Sequence, residues 1–168
     1  MAPDEEIIRI LLDAETKQIL DITVYEENLR FKCRRCATLC CKLGGPKLTR
    51  KDIERIVQAG YEAGEFFVPL KGGSEGSPTF LGSLKSMEDD SCVFLRFNQE
   101  RESYSCTIYD SRPALCRLYP FDFQKINSQS IMLGLIPCCR GLNSPDGELV
   151  NERFIVSYLL DAIFDLTF

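Results

Sequence analysis

Apolar positions recur along the chain in short periodic runs separated by polar turns, and the period of each run predicts an element. From Asp4 to about Leu20, Ile7, Ile8, Leu11, Leu12 and Ile19 fall at helical spacing behind an acidic first turn, which suits the positive end of a helix dipole. A helix is expected there. Ile22-Thr-Val-Tyr25 alternates and is β-branched, which predicts a short strand leading into the next stretch. Thr49-Arg-Lys-Asp52 has the form of a capping box with Asp in place of Glu. Ile53, Ile56 and Val57 follow on one face and Gly60 supplies a stop, so a second helix is expected.

Residues 71 to 78, Lys-Gly-Gly-Ser-Glu-Gly-Ser-Pro, predict a mobile surface loop too short to divide two domains. Short apolar or alternating runs follow, from Thr79 to Met87, Cys92 to Phe97, Tyr104 to Tyr109, Phe121 to Ile126 and Ile131 to Ile136. These predict a small antiparallel sheet. Arg112 to Leu118, opened by Pro113, predicts one or two helical turns between strands. Phe154, Ile155, Tyr158, Leu159, Ile163 and Phe164 predict an amphipathic closing helix whose apolar face docks on the core or on a partner. The expected architecture is a single small α+β domain: residues 1–30 lead in, residues 31–142 carry the cysteines, and residues 143–168 close on the same body.

Composition sharpens this picture. At 168 residues, 45% hydrophobic and 27% charged, the chain is long enough to bury a core without covalent staples. Its net charge of −5 gives no global reason to expect nucleic acid or an anionic membrane as partner. The start, Met1-Ala-Pro-Asp-Glu-Glu6, is acidic where a secretory signal is basic, and no apolar run approaches the roughly 18 residues of a membrane span. A cytoplasmic protein is expected. Locally the charge reverses: Arg30, Lys32, Arg34, Arg35, Lys42, Lys47, Arg50 and Lys51 share residues 30–51 with no acidic residue.

Nine cysteines beside no histidine carry the chemistry. An odd count in a reducing compartment fits a disulfide framework badly and fits metal or redox chemistry better. Cys33-x-x-Cys36 presents two thiolates to one ion, with Cys40 and Cys41 close behind and Cys92, Cys106, Cys116, Cys138 and Cys139 far downstream. Whatever these thiolates bind must tie distant parts of the chain together. Adjacent cysteines point apart on a strand or a helix, so Cys40 and Cys41 serve different centres, or one serves and one packs. Eight thiolates make two tetrathiolate sites and leave one over; alternatively a single centre is bound and the others are buried apolar residues. A tetrathiolate centre carries a formal charge near −2, which the run from Arg30 to Lys51 with Arg112, Arg117 and Arg140 would offset. The bland reading of those charges is a solvated basic face.

Phe31-x-Cys33-x-x-Cys36-x-x-x-Cys40-Cys41, Leu48-Thr49, Cys92-Val-Phe-Leu95, Cys106-x-Ile-Tyr109, Arg112-Pro-x-x-Cys116-Arg-x-Tyr-Pro-Phe121 and Cys139-x-Gly-Leu142 together resemble the cysteine-cluster family named for zinc or iron chelation. The resemblance spans about residues 31–142, and its Arg-Pro-x-x-Cys-Arg-x-Tyr-Pro-Phe block is its most specific part. It implies Cys33, Cys36, Cys40, Cys41, Cys92, Cys106, Cys116 and Cys139 as metal ligands and Cys138 as the ninth thiol. One residue more separates Cys36 from the cysteine pair than is usual in the family, which leaves open whether Cys40 or Cys41 is the ligand. Flagellin lysine methylases contain a similar domain. Here no glycine-rich strand-to-helix turn cradles a nucleoside cofactor, since Gly44-Gly45 and Gly72-Gly73 lack that context.

The absence of histidine favours a 4Fe–4S cluster, held mainly by thiolates, over zinc, whose sites often include histidine; all-thiolate zinc is the alternative. Arg112 and Arg117 either hydrogen-bond the sulfurs of that centre or pair with acids such as Asp110 and Asp122. Tyr109, Tyr119, Phe121 and Phe123 are expected as core around the site rather than as a base-stacking platform. The expected function is electron transfer or assistance to a partner enzyme through a protein partner. The alternatives are a structural zinc adaptor, a part of a lysine methylation system, and thiol–disulfide exchange at Cys33 and Cys36. No catalytic triad or carboxylate pair points to hydrolysis. Residues 30–51 offer few large apolar groups, so this segment is expected to depend on the metal for its order. Amide exchange protection that persists there in metal-free protein would contradict that expectation.

Overall fold

The N-terminal apolar run forms a β-hairpin, not a helix, in the computed structural model, which describes residues 5–37, 45–72 and 78–168. Strands β1 (Ile8–Asp13) and β2 (Gln18–Val24) pair antiparallel with a register shift between Leu11 and Leu12. Ile8, Ile10 and Leu12 point inward while Arg9 and Leu11 point out, so the period of two prevails over the helical spacing of Ile7, Ile8, Leu11 and Leu12. The turn decides the matter locally. Asp13 Oδ1 accepts the backbone N–H groups of Glu15 (2.9 Å) and Thr16 (3.1 Å), and Lys17 adopts a left-handed φ of 55°, which together end any helix.

The remaining elements follow in chain order: β3 (Arg30–Phe31), β4 (Lys47–Leu48), α1 (Arg50–Gln58), α2 (Ala63–Phe66), β5 (Phe67–Pro69) and β6 (Gly82–Leu84). Then come β7 (Leu95–Asn98), β8 (Ser103–Cys106), a 3₁₀ turn (Tyr109–Ser111), α3 (Ala114–Leu118), β9 (Phe121–Lys125), β10 (Ser130–Leu135) and β11 (Glu148–Leu149). The closing helix runs from α4 (Glu152–Phe154) through a π-helical stretch (Ile155–Leu159) into α5 (Leu160–Thr167). All strand pairs are antiparallel, so the class is α+β as expected. The single expected sheet is divided into one of four strands (β2-β1-β10-β9), one of three (β4-β6-β5) and two ribbons (β11-β3 and β7-β8).

Two apolar clusters hold these pieces. The first joins the inner face of the four-stranded sheet, through Ile8, Ile10, Leu12, Ile131 and Leu133, to Leu118 and to Ile155, Leu159, Ile163 and Leu166 of the closing helix. That helix therefore docks on the chain's own core. Its π-helical turns shift the face, so Tyr158, expected inside, is 55% exposed and donates to Glu148 Oε1 at 2.8 Å. The second cluster gathers Leu48, Ile56, Phe66, Leu84, Phe94 and Ile108 under α1 and the three-stranded sheet.

Helix α1 has the predicted capping box: Thr49 accepts from the Asp52 N–H (3.2 Å) and the Asp52 carboxylate accepts from the Thr49 N–H (2.9 Å). Gly60, at φ 105°, follows its end. α3 begins two residues after the predicted start at Arg112, with Pro113 as its N-cap, and ends at a cis Tyr119–Pro120 peptide. Cys40, Cys41 and most of the predicted loop at 71–78 lie outside the described residues.

Candidate metal centre

Three separate stretches bring cysteines to one place. Cys33 and Cys36 follow β3, Cys116 lies on α3, and Cys139 lies in the turn beyond β10; all four line a cleft of about 470 Å³. Lys32, Arg34, Arg35, Arg112 and Arg117 stand around the same cleft. Cys92 and Cys106 do not reach it. They line a neighbouring cavity of about 80 Å³, to which Cys33 and Cys116 also contribute. Cys138 borders neither space. Among the described residues no three Cys, Asp or Glu side chains meet at a point that would hold one ion; the sulfurs are spread over the walls.

The Cys33 arm is held by backbone. β3 pairs with β11 through Phe31–Glu148 and Arg30–Leu149, the Lys32 N–H donates to Gly141 O (3.0 Å), and the Asn143 N–H donates to Arg30 O (2.8 Å). Gly141 is required for this approach, because a Cβ there would lie 2.3 Å from Lys32 O. Beyond β3 the chain turns through left-handed conformations at Arg35 (φ 52°) and Ala37 (φ 55°), which cost L-residues of order 1–3 kcal/mol and persist where surroundings impose them.

Asp146 clamps the arm from outside, accepting from Lys32 Nζ and Arg34 Nη2, each at 2.7 Å. These two donors lower its carboxyl from the ordinary 3.8 to about 2. Because the folded value lies below the unfolded one, the stability this contributes is complete above about pH 4 and is lost as pH falls toward 2. The difference in urea midpoint between wild type and Asp146→Asn is therefore expected to be constant above pH 4 and to shrink below it. A difference that stays constant down to pH 2 would contradict the clamp.

α3 is positioned from within. The Asp52 carboxylate is fully buried, and its Oδ1 accepts the Ala114 N–H (2.9 Å) and Arg55 Nη1 (3.1 Å) while Oδ2 accepts from Thr49. One carboxylate thus joins the start of α1 to the first turn of α3, two residues before Cys116. Arg117 pairs with Asp165 (2.5 Å), which also binds Arg55, and donates through Nε to Arg112 O (3.1 Å). Arg112 lies 3.8 Å over the Tyr109 ring and donates to Tyr109 O (2.9 Å). Both arginines line the cleft; of the two alternatives, pairing with an acid holds for Arg117, through Asp165 and not through Asp110 or Asp122.

Of the four aromatic residues expected as core, Phe121 is buried and Tyr119 and Phe123 are half-buried. Tyr109 is the exception, 44% exposed, with the guanidinium groups of Arg112 at 3.8 Å and Arg35 at 5.4 Å from its ring. The roles of Asp52, Asp146 and Asp165 rest on contacts across large sequence separations. Only Asp52 had a local signal, its place in the capping box.

Residues 32–133 match the CxxCxxCC family, described as "Putative zinc- or iron-chelating domain". The chain is also 31% identical over 134 residues to a protein of Methanocaldococcus jannaschii named Uncharacterized protein MJ0661, with 78% of this chain and 68% of that one covered. No solved structure matches. The matched residues include every cysteine that lines the two spaces except Cys139, and they extend over more than half of the 168 residues. The chain belongs to the CxxCxxCC family of zinc- or iron-chelating domains.

Proposed function

We propose that the larger cleft holds a 4Fe–4S centre and that the chain serves in electron transfer or as an accessory to a partner enzyme, as a cytoplasmic protein. The observation that carries this reading is the convergence of Cys33, Cys36, Cys116 and Cys139 on one cleft of about 470 Å³, far larger than the roughly 30 Å³ share of a single water. The donor set is soft and uniform, and the chain has no histidine to offer. When bound, such a centre supplies one-electron chemistry at a potential set by charge, sulfur hydrogen bonds and exposure.

The chain's own residues set those terms. Cys33 is exposed, so the centre lies close to the surface that a partner reaches. Arg112 and Arg117 bring positive charge to a wall that would face a formal −2. Arg117 is held in place by Asp165 and by Arg112 O, so its charge does not need to be ordered when the centre assembles. The test is a redox titration of anaerobically purified protein followed by its visible absorption. Reversible bleaching at low potential supports the reading, and a colourless, redox-silent zinc protein would overturn it in favour of a structural adaptor.

A further inference from the structure

The wall of the larger cleft is rich in charge and aromatic rings, and its charges are unevenly paired. Lys32 and Arg34 share Asp146, and Arg117 pairs with Asp165. Arg35 and Arg112 line the same cleft, and among the described residues neither forms an ion pair, although Asp110 directly follows Tyr109. Both guanidinium groups lie instead against the Tyr109 ring, Arg112 at 3.8 Å and Arg35 at 5.4 Å from its centroid. Tyr109 and Tyr158 both line the cleft and both are exposed. Cys33 and Arg35, two residues apart, are exposed as well.

We infer that Arg35, Tyr109 and Arg112 form a docking surface for an acidic protein, whose carboxylates pair with the two guanidinium groups and whose body comes to lie over the exposed Cys33. This deepens the reading of the cleft as the place of a centre that serves a partner, and rests on it. Tyrosine and arginine are the residue types that carry much of the binding energy at protein interfaces. The two exposed tyrosine rings give such a partner apolar area to cover. A guanidinium donates to a carboxylate through two parallel N–H groups, and Arg112, with Nε committed to Tyr109 O, keeps its Nη groups for one. Contact with the ring holds the guanidinium groups in place, so less freedom is lost on docking.

Charge favours a protein over a nucleic acid as the acidic partner. Residues 30–51 carry eight basic residues and no acid within a chain of net charge −5, so the remaining residues together carry −13. A nucleic acid is a continuous run of phosphates and requires a continuous basic track, and beyond this segment it would meet the acidic excess of the rest. A folded protein presents a few carboxylates at one spot, and the same charge asymmetry orients its approach. Asp146 and Glu148 also line the cleft, where Asp146 accepts from Lys32 and Arg34 and Glu148 from Tyr158, so the acidic contact falls on Arg35 and Arg112.

The test is fluorescence anisotropy of two labelled probes of equal charge, polyglutamate and single-stranded DNA, titrated with the full chain purified anaerobically. Polyglutamate is expected to bind the wild type, and to bind less tightly as ionic strength rises from about 0.01 M to about 0.15 M and the screening length falls from about 30 Å to about 8 Å. Arg35→Glu, at an exposed position, is expected to weaken that binding at least about tenfold. Arg96→Glu makes the same change of charge on β7, outside the cleft lining, and is expected to weaken it about twofold at most. Should Arg35→Glu fail to fold, Tyr109→Ala is expected to weaken binding about fivefold. Equal losses in Arg35→Glu and Arg96→Glu would reduce the effect to net charge and overturn the docking surface, as would a wild type that does not bind polyglutamate. DNA bound as tightly as polyglutamate, or more tightly, would overturn the choice of a protein partner. Iron and sulfide content of the same samples reports on the centre independently, so failure of the surface and failure of the centre are told apart.

Discussion

Asp52→Asn is expected to destabilise the metal-loaded chain by about 1–3 kcal/mol for each buried donor it leaves unsatisfied. Four donors converge on the two oxygens of this carboxylate: the Thr49 N–H and O–H, the Ala114 N–H, and Arg55 Nη1. An amide has one acceptor oxygen. Whichever way the substituted amide were turned, its NH₂ would face either the Thr49 donors or the Ala114 and Arg55 donors, in a place with no access to water. Loss of the local cap alone costs only about 1 kcal/mol, so Thr49→Ala serves as the control for the part of the effect that belongs to α1. The excess measures the link between α1 and α3. Urea unfolding with a difference under about 1 kcal/mol between Asp52→Asn and wild type would show that the link contributes little.

Cys116→Ser is expected to remove the metal from the larger cleft, which Cys116 lines together with Cys33, Cys36 and Cys139. Changes to groups that merely support a ligand cost about 10–100-fold in metal affinity, and loss of a ligand should exceed that. The consequence extends to folding. Structural zinc contributes about 10–16 kcal/mol in small peptides, as much as the roughly 5–15 kcal/mol net stability of a whole domain. Cys116 is distinguished from Cys33 by its support: it rides on a helix anchored through Ala114 and packed by Leu118 into the main core. The Ser variant should therefore keep the four-stranded sheet and closing helix while losing the metal and the order of the Cys33 arm. Wild-type metal content in Cys116→Ser would contradict its place as a ligand.

What could be read from the sequence, and what could not, divides along the range of the interactions. The α1 capping box and the β9–β10 hairpin were legible because each is decided within a few residues, by Thr49 with Asp52 and by the alternation on either side of Asn127. The N-terminal segment misled for a physical reason. Ile7, Ile8, Leu11 and Leu12 fit a helix as well as Ile8, Ile10 and Leu12 fit a strand, and the choice was made by a distant partner, with Ile8 opposite Leu133 and Ile10 opposite Ile131. The cysteine types and the Arg-Pro-x-x-Cys-Arg block pointed to metal without geometry. Their division between two spaces depends on β3 reaching β11 and on Asp52 reaching a residue 62 positions away. Arg117 illustrates the same limit, since its acid proved to be Asp165 on the closing helix, not a neighbour in sequence.

A metal centre in the cleft is tested most directly by what the purified chain contains. Anaerobic purification followed by iron, zinc and acid-labile sulfide analysis, with an ultraviolet–visible spectrum of the same sample, is the decisive measurement. A brown protein with about four irons and four sulfides per chain and a broad charge-transfer band reaching into the visible is expected. A colourless protein holding only zinc, with no sulfide, would contradict it.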